Sequence, residues 1–188
     1  MTYSPAVRSE QFGWLTQTLR SIDRSATPWV VFTGHRPMYS QELTSRDVAF
    51  ASVIEPLLIT AGVDIAFWAH DHVYMRSCPM RNGTCVGRGS VSEPDKSSVV
   101  RGGQAPVHVV CGTAGAFRDA TPNATAPWVV VTDACEGCHR WGYCRFRANS
   151  TELHMEYVGH IGVDNATGPQ SIGDRLTLVR QGAAASSL

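Results

Sequence analysis

Two short segments carry the residues best suited to chemistry, Gly34-His35-Arg36-Pro37 and Ala69-His70-Asp71-His72. Neutral imidazole is a good ligand for zinc, iron and related ions, and a two-metal hydrolytic centre draws its ligands from several loops. The alternating spacing of His70 and His72 lets both rings reach one locus if a strand has opened into a turn there. His35, His70 and His72 are therefore candidate metal ligands. The competing reading is three loop histidines making ordinary hydrogen bonds. His108, His154 and His160 have no sequence partners that suggest a role and read as ordinary strand or surface residues.

The cysteines and asparagines speak about compartment. Cys78 and Cys85 bracket a six-residue segment with turn chemistry, Pro79-Met-Arg-Asn-Gly-Thr84, and are expected to form a disulfide. Cys111, Cys135, Cys138 and Cys144 admit several pairings, a free buried Cys111 among them. Cys135-Glu-Gly-Cys138-His139 matches the attachment pattern of a c-type haem, and zinc held by Cys135, Cys138, His139 and Cys144 is another reading. Neither a second axial ligand nor an apolar helical pocket accompanies the motif, so a disulfide-bearing surface loop is expected. All four asparagines, Asn82, Asn123, Asn149 and Asn165, head an Asn-x-Ser/Thr triplet. Chance would give that on the order of once in a thousand, so these positions are expected on glycosylated surface loops of a secreted, secretory-pathway or vacuolar protein. The first ten residues lack the apolar core of a secretion signal, so the chain is expected to be part of a longer one.

Elements must bring the histidines together. Phe12, Leu15, Leu19 and Ile22 recur at helical spacing within 8–23. Trp29-Val-Val-Phe-Thr33 reads as a buried strand bounded by Gly34. Ser45 is expected to cap a helix running to about Thr60, which Pro56 should kink or shorten. Val63–Trp68 is the next strand. This alternation predicts a mostly parallel sheet with helical cover, whose strand ends form the ligand crevice. Residues 87–103 read as a mobile loop, 106–112 as a strand, 141–147 and 152–158 as a hairpin, and 175–179 as a final strand before a frayed tail.

Composition narrows the classes further. Sixteen basic and sixteen acidic residues in 188 leave no net charge, which argues against a nucleic-acid partner. No apolar run approaches the length of a membrane span. The 43% hydrophobic content suits a packed core.

The motifs resemble those of the purple acid phosphatases, members of the calcineurin-like metallophosphoesterases. The resemblance lies in Phe12-Gly-Trp-Leu15, Asp23–Trp29, Gly34-His-Arg-Pro-Met-Tyr39, Glu55-Pro-Leu-Leu58, Val63-Asp64 and His70-Asp-His-Val-Tyr74. It continues through the Cys78–Cys85 loop, Pro106–Gly112, and Trp141-Gly-Tyr to Glu156-Tyr157, covering most of residues 10–160. It implies an α/β chain forming part of a layered α/β/βα sandwich, with 1–160 as the carboxyl-terminal part of a catalytic domain and 161–188 as a terminal strand and tail. It also implies hydrolysis of phosphate monoesters at a binuclear centre of iron with iron, zinc or manganese. By motif position His35 and His70 resemble ligands of the divalent metal, and His72 the imidazole ligand of the iron. Arg36 and Tyr39 line the first loop as candidate outer groups. Two residues depart from the pattern: Ala69 replaces a glycine and Met75 a glutamate. The family's earlier D-x-G, G-D-x-x-Y and G-N-H motifs have no counterpart here, so no bridging carboxylate is available. The amino-terminal half of the catalytic domain is then a required partner, and little turnover is expected from this chain alone. The alternative is a non-catalytic binding or interaction module derived from the same fold.

Overall fold

In the computed structural model, the described residues are 9–41, 47–87, 89–91, 97–115, 117, 119, 125–132, 141–160 and 170–180. Two helices and eleven strands follow in the order α1 (Glu10–Arg20), β1 (Val31–Thr33), α2 (Val48–Thr60), β2 (Ile65–Trp68), β3 (Tyr74–Arg81), β4 (Thr84–Cys85), β5 (Ser90–Val91), β6 (Ser98–Arg101), β7 (Val107–Cys111), β8 (Val129–Thr132), β9 (Gly142–Ala148), β10 (Glu152–His160) and β11 (Gln170–Val179). The first sheet runs β1-β2-β7-β3-β4, with β8 also paired to β3, and the second runs β5-β6-β11-β10-β9.

The layers follow from period-two burial. Along β2, Ala66 and Trp68 belong to a core shared with Leu19, Ile54 and Leu58 of the helices. The alternate residue Ile65 joins Val107, Val109, Leu153, Leu176 and Leu178 in a second core between the sheets. A strand buried on both faces reads as a continuous apolar run, as Ile65-Ala-Phe-Trp68 does. The outcome is helices on sheet on sheet, a mixed α/β architecture.

Local caps explain the helix limits. Ser9 accepts from the Phe12 amide at 3.2 Å and starts α1. Asp47 does the same for the Phe50 amide at 2.8 Å and starts α2; Ser45, the cap expected from sequence, lies outside the described residues. Pro56 does not shorten α2, which continues through it to Thr60. Buried Ala51, Ile54 and Leu58 hold that helix against the sheet and offset the hydrogen bond proline removes.

Several expectations are corrected. Among the described residues, parallel pairing is confined to β1-β2-β7 and β6-β11, and every other pairing is antiparallel. Short connections such as Asn82-Gly83 and Asn149-Ser-Thr151 permit only antiparallel neighbours. Part of 87–103 is not loop: β6 lies beside β11, with Ser98 and Val100 buried and Val99 exposed. The final strand begins at Gln170, ahead of the expected Arg175. Residues 74–81 form an eight-residue strand, and its Pro79 falls at a register irregularity where a missing donor is tolerated. The expected frayed tail from Gln181 lies outside the described residues.

Between the sheets sits a buried polar cluster. Arg76 grips Asp174 through Nε to Oδ2 at 2.6 Å and Nη2 to Oδ1 at 2.8 Å, and donates to Ser98 Oγ at 2.9 Å. Tyr74 donates to the same carboxylate at 2.5 Å. This cluster ties β3, β6 and β11 together. Elsewhere, the disulfide joins Cys78 to Cys85 across the β3–β4 turn.

Candidate metal centre

β1 and β2 are parallel neighbours, paired Val31 to Ile65 and Thr33 to Phe67, so their carboxyl ends open on the same side. His35 follows the first and His70 the second. The backbone keeps the two chains zipped past the strands: the Gly34 amide donates to Phe67 O at 2.9 Å and the Ala69 amide to His35 O at 3.0 Å. His35 Nε2 and His70 Nδ1 consequently lie 3.1 Å apart, with the rings edge-on at 76°.

Two backbone features hold that approach. Gly34 must be glycine, because a Cβ there would sit 2.5 Å from the Trp68 ring. His70 has φ of +66°. A left-handed residue with a Cβ costs about 1–2 kcal/mol, and such strain is retained where surrounding structure enforces it. Enforcement comes from Gly112 at the end of β7, whose Cα packs so closely that a Cβ would lie 1.9 Å from Asp71 O. Gly112 N also donates to Val73 O at 3.0 Å, and Ser40 Oγ donates to the Asp71 carboxylate.

The separation of the two ring nitrogens fits shared ligation. With metal–nitrogen bonds of about 2.0–2.1 Å, two ligands at 90–110° on one ion lie about 2.8–3.4 Å apart. The other candidates stand differently. The His72 amide donates to Asp119 Oδ2 at 2.7 Å, its ring meets Phe117 edge-on, and its buried Nδ1 has no hydrogen-bond partner among the described residues. No group of three His, Cys, Asp or Glu side chains able to hold a metal occurs among the described residues. The arrangement therefore brings His35 and His70 together without adding His72 as a third ligand. Arg36 is exposed on the rim. Tyr39 is fully buried, donating to Glu55 Oε1 at 2.7 Å and accepting from the Gly83 amide at 2.8 Å. Those bonds fasten α2 to the β3–β4 turn.

A cleft of about 520 Å³ opens beside His35 and Arg36, walled by Phe12, Trp14, Phe32 and Phe50. Sequence reasoning missed Ser40, Asp119 and Gly112 as supports of the histidine turn. Only Gly112 carried a signal, as a glycine ending an apolar strand. Among the glycosylation candidates, Asn82 and Asn149 are exposed at the β3–β4 and β9–β10 turns; Asn123 and Asn165 lie outside the described residues, as do Cys135, Cys138 and His139. No helix among the described residues is long and apolar enough to cross a membrane.

Comparison with known proteins bears on the fold and the family. The family model described as calcineurin-like phosphoesterase matches residues 2–74, and that described as iron/zinc purple acid phosphatase-like protein C matches residues 105–169. A probable inactive purple acid phosphatase 9 of Arabidopsis thaliana is 33% identical over 165 residues, covering 80% of this chain and 23% of its own. An acid phosphatase of Aspergillus ficuum is 31% identical over 173 residues, covering 91% and 27%. The chain thus spans about a quarter of the length of these relatives. The purple acid phosphatase PPD1 from yellow lupin seeds superposes with a TM-score of 0.73 at 22% identity, over 93% of this chain and 29% of that one. The fold, the paired strand-end histidines and both family matches agree that this chain belongs to the purple acid phosphatase family of calcineurin-like phosphoesterases.

Proposed function

We propose that these residues form the imidazole side of a metal centre that hydrolyses phosphate monoesters, with carboxylate and further ligands supplied from outside the 188 residues. The observation that carries this reading is the 3.1 Å approach of His35 Nε2 to His70 Nδ1 at the carboxyl ends of two parallel strands. His35 and His70 would hold a divalent ion, and His72 would serve a second metal, iron in the family's usual pair, as ligands from elsewhere complete its site. The metals, iron with iron, zinc or manganese, would supply a hydroxide nucleophile at moderate pH and neutralise phosphoryl charge. This chain's residues bind and orient. Arg36, exposed beside His35, is placed to receive a phosphate oxygen. The aromatic wall of the adjoining cleft would take an apolar alcohol portion of the ester. Asn82 and Asn149 present accessible acceptor sites for glycans, in keeping with a secretory or vacuolar setting.

The test has two parts. Titration of the purified chain with Zn²⁺, followed calorimetrically, should show one binding event that His35→Ala or His70→Ala weakens at least tenfold. Assay with p-nitrophenyl phosphate plus iron and zinc should show little turnover. Robust turnover abolished by His72→Ala would overturn the incomplete-site reading, and metal binding indifferent to both histidines would overturn the site itself.

A second reading has its own support. The described residues bring together only two ligands, and three relatives carry the name probable inactive purple acid phosphatase. A non-catalytic module of the same fold would retain the histidine turn as architecture. It predicts no measurable Zn²⁺ affinity and a loss of stability on replacing both imidazoles.

A further inference from the structure

Cys111 ends β7 in the first sheet and Cys144 lies in β9 of the second, and their sulfurs are 2.7 Å apart. Non-bonded heavy atoms rest at about 3.5–4.0 Å, and a formed disulfide has its sulfurs about 2.05 Å apart. The pair is far closer than packing requires and one small movement from bonding distance.

The surroundings present the sulfurs to each other. Cys111 pairs across the ladder with Tyr74, and Cys144 pairs with Tyr157. Those tyrosines stack between the sheets with ring centroids 3.9 Å apart and planes within 10°. The contact between the sheets is thus built twice in register, tyrosine on tyrosine and cysteine on cysteine. The Cys78–Cys85 disulfide and the four glycosylation triplets place the chain's chemistry in an oxidising setting.

We propose that Cys111 and Cys144 form a second disulfide, a covalent bolt between the two sheets immediately beneath the histidine turn. A low-molecular-weight disulfide such as oxidised glutathione is the oxidant. The Cys111 thiolate attacks one glutathione sulfur and expels a glutathione thiolate; Cys144 then attacks the Cys111 sulfur and expels the second. The two cysteine protons end on the two released glutathiones, so electrons and atoms balance. Burial pushes the Cys144 thiol well above its ordinary pKa, with the Cys111 hydrogen bond acting in the same direction. A high-pKa thiol is a poor leaving group when the bond is challenged by reductant. The bond closes a separation of 33 residues, against 7 for Cys78–Cys85, and longer loops gain more from closure. It also fixes the strand end from which Gly112 buttresses Asp71.

The experiment is a disulfide map of the full chain, refolded with reduced and oxidised glutathione, blocked with N-ethylmaleimide and cut with trypsin. Cleavage after arginine puts Cys111 in peptide 102–118, Cys144 in 141–145, and Cys135 with Cys138 in 119–140. The expected product is 102–118 joined to 141–145, which falls apart on reduction. Recovery of both peptides alkylated, or of 141–145 joined to 119–140, would overturn the proposal. A second measurement is independent of peptide recovery: Cys111→Ser/Cys144→Ser should melt about 10 °C below the wild type under non-reducing conditions and equal to it in the wild type's Cys111–Cys144-reduced form. Equal melting without reductant would count against the bond.

Discussion

The histidine turn and the Arg76–Asp174 cluster lie four positions apart in sequence, from His72 to Arg76, and are built on opposite rules. Around Arg76 the polar groups close on themselves: guanidinium, carboxylate, serine and tyrosine share short bonds with almost no exposure. Burial works against the Arg76 charge, yet the Asp174 bonds outweigh it and hold its pKa above the ordinary value. Burial and then the Asp174 charge push the Tyr74 hydroxyl well up, so it stays protonated as the donor. At the turn, by contrast, His35 and His70 face each other at the surface, His70 on a left-handed backbone, with His72 Nδ1 unanswered among the described residues. A polar set that satisfies itself is architecture; one left open under strain is a candidate site for a ligand.

The largest test of that contrast removes one partner from the closed cluster. Asp174→Ala leaves a buried guanidinium without its carboxylate, and the expected cost is about 3–5 kcal/mol by urea unfolding. Zn²⁺ binding by the molecules still folded should be unchanged. A loss below about 1 kcal/mol would show that the cluster is not what ties the sheets together. Next in size is Gly112→Ala. The added carbon would overlap Asp71 O, so either the turn or β7 must move, at about 1–3 kcal/mol. Here stability and Zn²⁺ affinity should fall together, because the same backbone contact supports both.

His70→Gly separates the two rules most cleanly. Glycine relieves a left-handed strain of about 1–2 kcal/mol and gives back up to about 1 kcal/mol in chain entropy. The variant should therefore be as stable as the wild type, or about 1 kcal/mol more so. Its Zn²⁺ affinity should drop at least tenfold. Stability lost with affinity retained would make His70 a structural residue.

How much of this was legible from sequence divides along the same line. The apolar runs of β2 and β7 were readable because burial on both faces writes a continuous hydrophobic word; β1, expected from its apolar run to be buried, is instead an edge strand with Val31 and Thr33 exposed. These runs placed His35 and His70 at neighbouring strand ends. β8 was not read, although Val129-Val-Val-Thr132 has the β-branched character of β1, because its partner β3 lies some fifty residues upstream. β6 was hidden among glycines and charges, its pairing with β11 supplied by residues about 78 positions away. The closed cluster was invisible for the same reason: Arg76 and Asp174 are 98 residues apart. Tyr39 was placed at the site by its neighbour in sequence, while its real partner, Glu55, waits inside a helix.

A third buried carboxylate lies between the two extremes and yields the smallest effect. Asp64 is almost fully enclosed, accepting from the Val30 amide at 2.8 Å and from Arg24 Nη2 at 2.9 Å. Unlike Asp174, it has a partly exposed arginine that cannot fully repay its desolvation. Burial raises its pKa above 3.8, with the Val30 and Arg24 bonds pulling only part of the way back. The sign follows from proton counting. Between the unfolded value and the raised folded one, the native state binds more protons, so stability falls as pH rises through that window. Above it, the charged Asp64 is a standing cost. Asp64→Asn keeps an acceptor for the Val30 amide and removes the titration. Its stability relative to wild type should therefore be least favourable below pH 3.8 and improve as pH rises past the folded pKa, as read from urea unfolding at several pH values. The opposite slope would mean that Arg24 closes the pair as completely as Arg76 closes Asp174, and the distinction between a satisfied and a half-satisfied buried charge would fail at this position.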